Sequence, residues 1–168
     1  MSSKGIADRF IQEFTSDDTE AGSQPRVILV RSTKSIKQFI TEALGEVERL
    51  VTPVKEARAN WALLVAAFDR LAELAKEYEQ HNIQIAAQDI RALALHLDAM
   101  DWGFTPELQK TFSDFVTYLS TMLLRVYIEG KDEKCVWELA SIEVLLTQSR
   151  RQLRMATNRD HNQVHWLN

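Results

Sequence analysis

Histidine, cysteine and carboxylate side chains are where a chain of this kind would carry chemistry, and here they are thinly spread. His161 and His165 stand four residues apart, the spacing that puts two imidazoles on one helix face for zinc, but Asp160 is the one nearby candidate for a third ligand. Both histidines fall in 159–168, which reads as a frayed tail, so no metal is expected. Di-iron bundles need inward Glu residues and Glu-x-x-His pairs, and no Glu lies three residues before any of the four His. His81 falls at a helix end and His96 beside an apolar stripe without an acid at helical spacing, so neither reads as a base. Cys135 is the single cysteine; it has no thiol to pair with and no base beside it, and reads as a small buried hydrophobe in a reducing cytoplasm. There is no nucleophile elbow and no glycine-rich phosphate loop. The expectation is a protein that is not an enzyme and holds no cofactor.

What the residues offer instead is apolar surface. Phe112, Phe115, Leu119 and Met122, with Tyr118 beside them and Ile90, Leu93 and Leu97 on the preceding helix, exceed what one bundle face needs. These eight are the candidate partner-binding residues, forming a groove for an amphipathic helix. The plainer reading of the same spacing is bundle core. Of the four Trp, Trp61 fits the core and Trp137 neighbours the core position Val136; Trp102 and Trp166 complete the set.

These side chains need helices to position them, and the chain is written for helices. With five Gly and three Pro in 168 residues, and 45% hydrophobic residues, one domain with a single core is expected. Residues 1–25 read as a flexible N-terminal segment. Within it Ile6, Phe10, Ile11 and Phe14 recur at helical spacing, before the polar, acidic linker Thr15 to Gln24. Residues 26–158 form the helical domain. After a brief β-branched run, Val27 to Val30, Ser35 is a plausible N-cap for an additional helix over about 35–50, with stripe Ile36, Phe39, Ile40, Leu44, Val47 and Leu50.

The core bundle is expected over about 53–155. Thr52-Pro53 reads as the start of its first helix, with Pro at the first helical position and the stripe Ala57, Trp61, Leu64, Phe68, Leu71, Ala75 and Tyr78. Asn82 can cap the next, with stripe Ile83, Ala86, Ile90, Leu93, Leu97 and Met100. Thr105-Pro106 opens a third that stops at Gly130. A last helix from about Asp132 carries Val136, Leu139, Ile142, Leu146 and Leu153, and its basic end, Arg150, Arg151 and Arg154, complements the helix dipole. Short loops force consecutive helices antiparallel, so the expected fold class is all-α, an up-down-up-down four-helix bundle with an additional N-terminal helix.

Charge narrows the partners. The 24 acidic and 20 basic residues, net −4, are mixed along the chain, which leaves no basic field for nucleic acid. No run approaches the roughly 18 apolar residues of a membrane span, and Met1 to Phe14 lacks the apolar stretch of a signal peptide. A cytoplasmic protein that binds other helices is the expectation, with a homodimer possible.

From about Pro53 to Leu153 the chain resembles the flagellar secretion chaperone FliS family. The last two helices carry the likeness: Phe112, Phe115, Tyr118-Leu119 and Leu123, then Val126-Tyr127-Ile128-Glu129-Gly130-Lys131-Asp132, and the helix through Val136, Leu139, Leu145 and Leu146. Ile83, Ala86 and Leu93 lead to Leu97-Asp98 in the helix before. The family's Tyr-Asp-Gly is met only by Phe68-Asp69-Arg70, its Ser-Pro start by Thr52-Pro53 at a longer spacing, and its short N-terminal arm by an extension of about 50 residues. The resemblance implies an antiparallel bundle that holds the C-terminal segment of flagellin in the cytoplasm and delivers it to flagellar export components, with no nucleotide. It also suggests that Ile6 to Phe14 and Ile36 to Leu50 mimic the partner and cover the groove until flagellin displaces them. The other readings are a co-chaperone or dimerising adaptor of a secretion system, and a helical-bundle enzyme using a bound metal.

Overall fold

The computed structural model describes residues 24–56 and 60–167, and the side chains of 36–56 and 60–160. The amphipathic stretch Ile6 to Phe14 and nearly all of the expected linker lie outside the described residues, as does Ala57. Among the described residues the chain is all-helical: α1 Gln24–Lys55, α2 Trp61–Glu77, α3 His81–Ala99, α4 Pro106–Glu129, a short 3-10 turn Asp132–Lys134, and α5 Val136–Leu167.

Three of these limits follow from capping chemistry. Asn60 turns into α2 with extended backbone, and its side chain accepts the backbone N–H of Ala62 at 2.9 Å. Thr105 does the same for Leu108 at 3.3 Å, with Pro106 in the first turn of α4. Gly130, at φ 83°, closes α4 in the left-handed conformation that only glycine adopts cheaply.

Two boundaries differ from expectation. Thr52-Pro53 starts no helix: Pro53 lies inside α1, and the backbone N–H of Glu56 still reaches the carbonyl of Thr52 at 2.9 Å. Pro53 removes one helical hydrogen bond, but Leu50 and Val54, both buried one turn apart, hold the helix in register through it. The expected helices at 35–50 and from 53 are therefore one element to Lys55, and α2 begins only at Trp61. The expected flexible segment also ends earlier, since Gln24 and Pro25 are already helical. At the other end, α5 runs to Leu167, through most of the stretch expected to fray.

The helices pack as neighbours in the pairs α1 with α2 and α4, α2 with α3, α3 with α5, and α4 with α5. Gln109 at the start of α4 donates from Nε2 to the carbonyl of Lys55 at 2.7 Å, while Ile36 lies beside Gly130 at the end of α4, so α1 runs antiparallel to α4. The core has an aromatic end: Trp61 meets Phe104 and Phe112 edge-on at centroid distances of 5.2 and 5.4 Å, and Phe112 meets Phe115 at 5.4 Å. Trp61 also donates from Nε1 to the carbonyl of Trp102 at 2.7 Å, closing the α3 to α4 connection over that cluster. The α1 helix is integral to this core. Phe39, Ile40, Ala43, Val47, Leu50 and Val54 are all buried, with Phe39 against Tyr78 at 5.5 Å.

Candidate functional site

Of the eight candidate partner-binding residues, Ile90, Leu93, Leu97, Phe112, Phe115, Leu119 and Met122 are buried and Tyr118 is half-buried. In this structure they form no open groove, because the face is covered. Helical spacing tells which residues share a face but not what lies over it, and here α1 and α5 lie along α4 while α2 and α5 lie along α3. The broad apolar face read on α4 does exist, and a helix does lie on it; that helix belongs to the same chain.

The seam between α1 and α4 is tight at the Lys55 end and open at the other. There a cleft of about 380 Å³ is bounded by Ile36 and Lys37 of α1 and by Tyr127, Ile128 and Glu129 of α4 with Gly130. Tyr127 is 61% and Ile128 69% exposed, and Leu124 one turn back is exposed as well. Just past the 3-10 turn, Val136 is exposed and Trp137 is 78% exposed. Large apolar side chains are left in water along one short stretch of chain, 124–137, which makes that stretch the candidate interaction surface. The expectation that Val136 is core fails because the inward stripe of Ile142, Leu146, Ser149 and Leu153 runs back at helical spacing through Glu138 to Cys135, which leaves Val136 facing out and Leu139 partly buried.

The turn itself does structural work that spacing gave no sign of. Asp132 is only 5% exposed, and its carboxylate accepts the backbone N–H groups of Asn82 at 2.6 Å and Ile83 at 3.1 Å. In return Asn82 Nδ2 donates to the carbonyl of Asp132 at 2.8 Å. The N-terminus of α3 has no side-chain cap from its own N-cap residue, Gln80, and is capped instead from fifty residues downstream. Asn82, read as a cap, is thus the residue being capped. Beside the turn, Arg125 Nε pairs with the buried Glu138 at 2.7 Å, and the Cys135 thiol donates to the carbonyl of Met122 at 3.5 Å. Burial, then the nearby Glu138 and Asp132 carboxylates, push that thiol up to about 11. It is protonated at neutral pH and no nucleophile.

Among the described residues no three His, Cys, Asp or Glu side chains gather to hold a metal ion. The backbone of α5 passes through His161 and His165, whose side chains lie outside the described set. Nor is any helix among the described residues long and apolar enough to cross a membrane. In comparisons with known proteins, no family model, curated protein or solved structure matches the chain.

Proposed function

We propose that the chain is a helix-binding protein, an antiparallel helical bundle in which α1, packed between α2 and α4, is a resident helix that a client helix replaces. The observation that carries this reading is the open end of the α1–α4 seam, where Tyr127 and Ile128 stand exposed beside the cleft at Ile36. A client helix can seat there first and then take over the face turn by turn.

Magnitudes constrain how the exchange works. Five large side chains of α1 are buried, each stabilising by about 1.5–3 kcal/mol, or roughly 10 kcal/mol together. That is comparable with the whole stability of a domain, about 5–15 kcal/mol. Stripping α1 away uncovered would unfold the protein, so an incoming helix must present an equivalent stripe while α1 leaves.

The resemblance over residues of about 53–153 makes the C-terminal segment of flagellin the client and a cytoplasmic export chaperone the role. Holding an amphipathic segment that is disordered alone would prevent its premature coiled-coil pairing, and the ordering cost would keep binding reversible. The test is calorimetric titration of the full chain with a flagellin C-terminal peptide, alongside Val47→Ala. Removing two carbons from a buried α1 side chain weakens the resident helix by about 1.6 kcal/mol, which should tighten client binding about tenfold. A variant that melts lower yet binds no tighter shows that α1 is not displaced. Silence from both proteins removes flagellin as the client.

A second reading, a dimerising adaptor, is favoured by Trp137 and Val144, exposed two turns apart on the outward side of α5. Sedimentation of the isolated protein separates the two: a stable dimer that Trp137→Ala dissociates supports the adaptor.

A further inference from the structure

Four arginines with described side chains, Arg49, Arg70, Arg91 and Arg125, each pair with a carboxylate. Among the described residues Arg150, Arg151 and Arg154 pair with none. The sequence suggested that these three complement the C-terminal dipole of the last helix. Because α5 continues to Leu167, they sit in its middle, beyond the reach of a dipole effect confined to the last turn.

Two of them border an apolar hollow. Where the end of α3 meets α5, a cleft of about 600 Å³ has Met100 and Leu153 on its floor and His96, Arg150, Arg154 and Asn158 around its rim. Among the described residues no carboxylate lines it. Its volume falls in the range of ligand sites, but it is open rather than enclosed, as a site for a macromolecular surface is. Arg150 and Arg154 stand one helical turn apart, about 6 Å along the axis.

From this the geometry points to a second docking site, for an acidic amphipathic helix of a partner protein. Carboxylates one turn apart on that helix match Arg150 and Arg154, which take carboxylates two hydrogen bonds at a time. An apolar side chain between them fills the space over Met100 and Leu153. The apolar lining favours a protein helix over a nucleic acid duplex, whose phosphates would engage the arginines but leave the exposed Met100 facing water. The site does not depend on the client reading, because it lies where the end of α3 meets the middle of α5 and includes no residue of α1 or α4.

The experiment is fluorescence anisotropy on the full-length protein with two labelled helical probes of about 18 residues. One carries a leucine stripe flanked by Glu, the other the same stripe flanked by Lys. The Glu probe is expected to bind in the micromolar range and more weakly as salt rises, and the Lys probe not to bind. Arg150→Glu with Arg154→Glu should weaken the Glu probe by more than about thirtyfold, from two lost ion pairs and two new repulsions. Met100→Asp should weaken it about tenfold, and helical circular dichroism checks that each variant is folded. Equal binding of both probes, or undiminished binding to the charge-reversed variant, overturns the proposal. So does a duplex oligonucleotide that binds more tightly than the Glu probe and is lost on charge reversal, which makes the site one for nucleic acid. Val47→Ala should leave the Glu probe unchanged; a tightening there would place the probe on the α1 face instead.

Discussion

Replacing Asp132 by alanine should destabilise the protein out of proportion to its place in a short turn. The carboxylate holds the N–H groups of Asn82 and Ile83 at 2.6 and 3.1 Å from a site 5% exposed. Loss of an N-cap acceptor costs about 0.5–2 kcal/mol, and leaving a buried donor unpaired adds about 1–3 kcal/mol. Together these come to roughly 2–4 kcal/mol. For a domain of this size that lowers the midpoint of thermal unfolding by roughly 5–15 °C. Asp132→Asn keeps one acceptor oxygen and should lose about 1 kcal/mol, chiefly the charge at the helix N-terminus. Glu133→Ala is the control: its neighbouring carboxylate pairs with Lys131 across 3.9 Å with both side chains exposed, so its removal should change stability by less than about 0.5 kcal/mol. Urea titrations read by circular dichroism give all three values. A double-mutant cycle of Asp132→Ala with Asn82→Ala should show a coupling of about 0.5–3 kcal/mol, since the two residues bond reciprocally. If Asp132→Ala costs no more than Glu133→Ala, the cap across fifty residues contributes nothing and the reasoning fails.

Cys135 should resist thiol reagents at pH 8 in the native protein and react at once in denaturant. Because burial raises its folded value to about 11 from an ordinary 9, the native state keeps a proton the unfolded state loses between those pH values. Stability should therefore fall as pH rises from about 9 to 11, and Cys135→Ala should flatten that part of the profile in denaturant titrations. Gly130→Ala should cost about 1–2 kcal/mol from the backbone at φ 83°, with little steric cost, because the added carbon meets Ile36 at an ordinary 3.8 Å; urea midpoints check this. Trp61→Phe keeps the ring contacts with Phe104 and Phe112 but loses the hydrogen bond to Trp102, and should lower stability by about 1–2 kcal/mol in the same assay.

Local signals in the sequence were reliable where the chemistry is local. Thr105-Pro106 and Gly130 mark α4 because a cap, a preset φ and a left-handed residue act within a few residues. Thr52-Pro53 carries the same start signal, yet the core positions Leu50 and Val54 outweigh it, and packing rather than propensity decides that boundary. The stripes of α3 and α4 were legible as faces, and both are buried apart from Met100, which lies exposed just past the end of α3. What covers α4 was not legible in the spacing, because that of Phe39, Ile40 and Val47 says that α1 is amphipathic without saying where it lies; only the resemblance suggested Ile36 to Leu50 as a cover. Val136 was misplaced because a stripe read from apolar residues alone passes over the buried Glu138, which carries the inward face of α5 back to Cys135. The bond from Asp132 to α3 leaves no trace in local sequence, as it joins residues fifty apart.

The order of the helices along the chain has a consequence for synthesis. Of the described helices α1 leaves the ribosome first, but the residue that ties its end, Gln109, follows Lys55 by 54 residues. At about 5–20 residues per second, the α1 stripe waits roughly 3–11 s before that tie can form. The hairpin of α2 and α3 is complete in the meantime. Each nascent molecule thus passes through an interval in which Phe39, Ile40, Val47 and Leu50 lack their permanent cover, and another α1 on the same polysome is the nearest competitor for it.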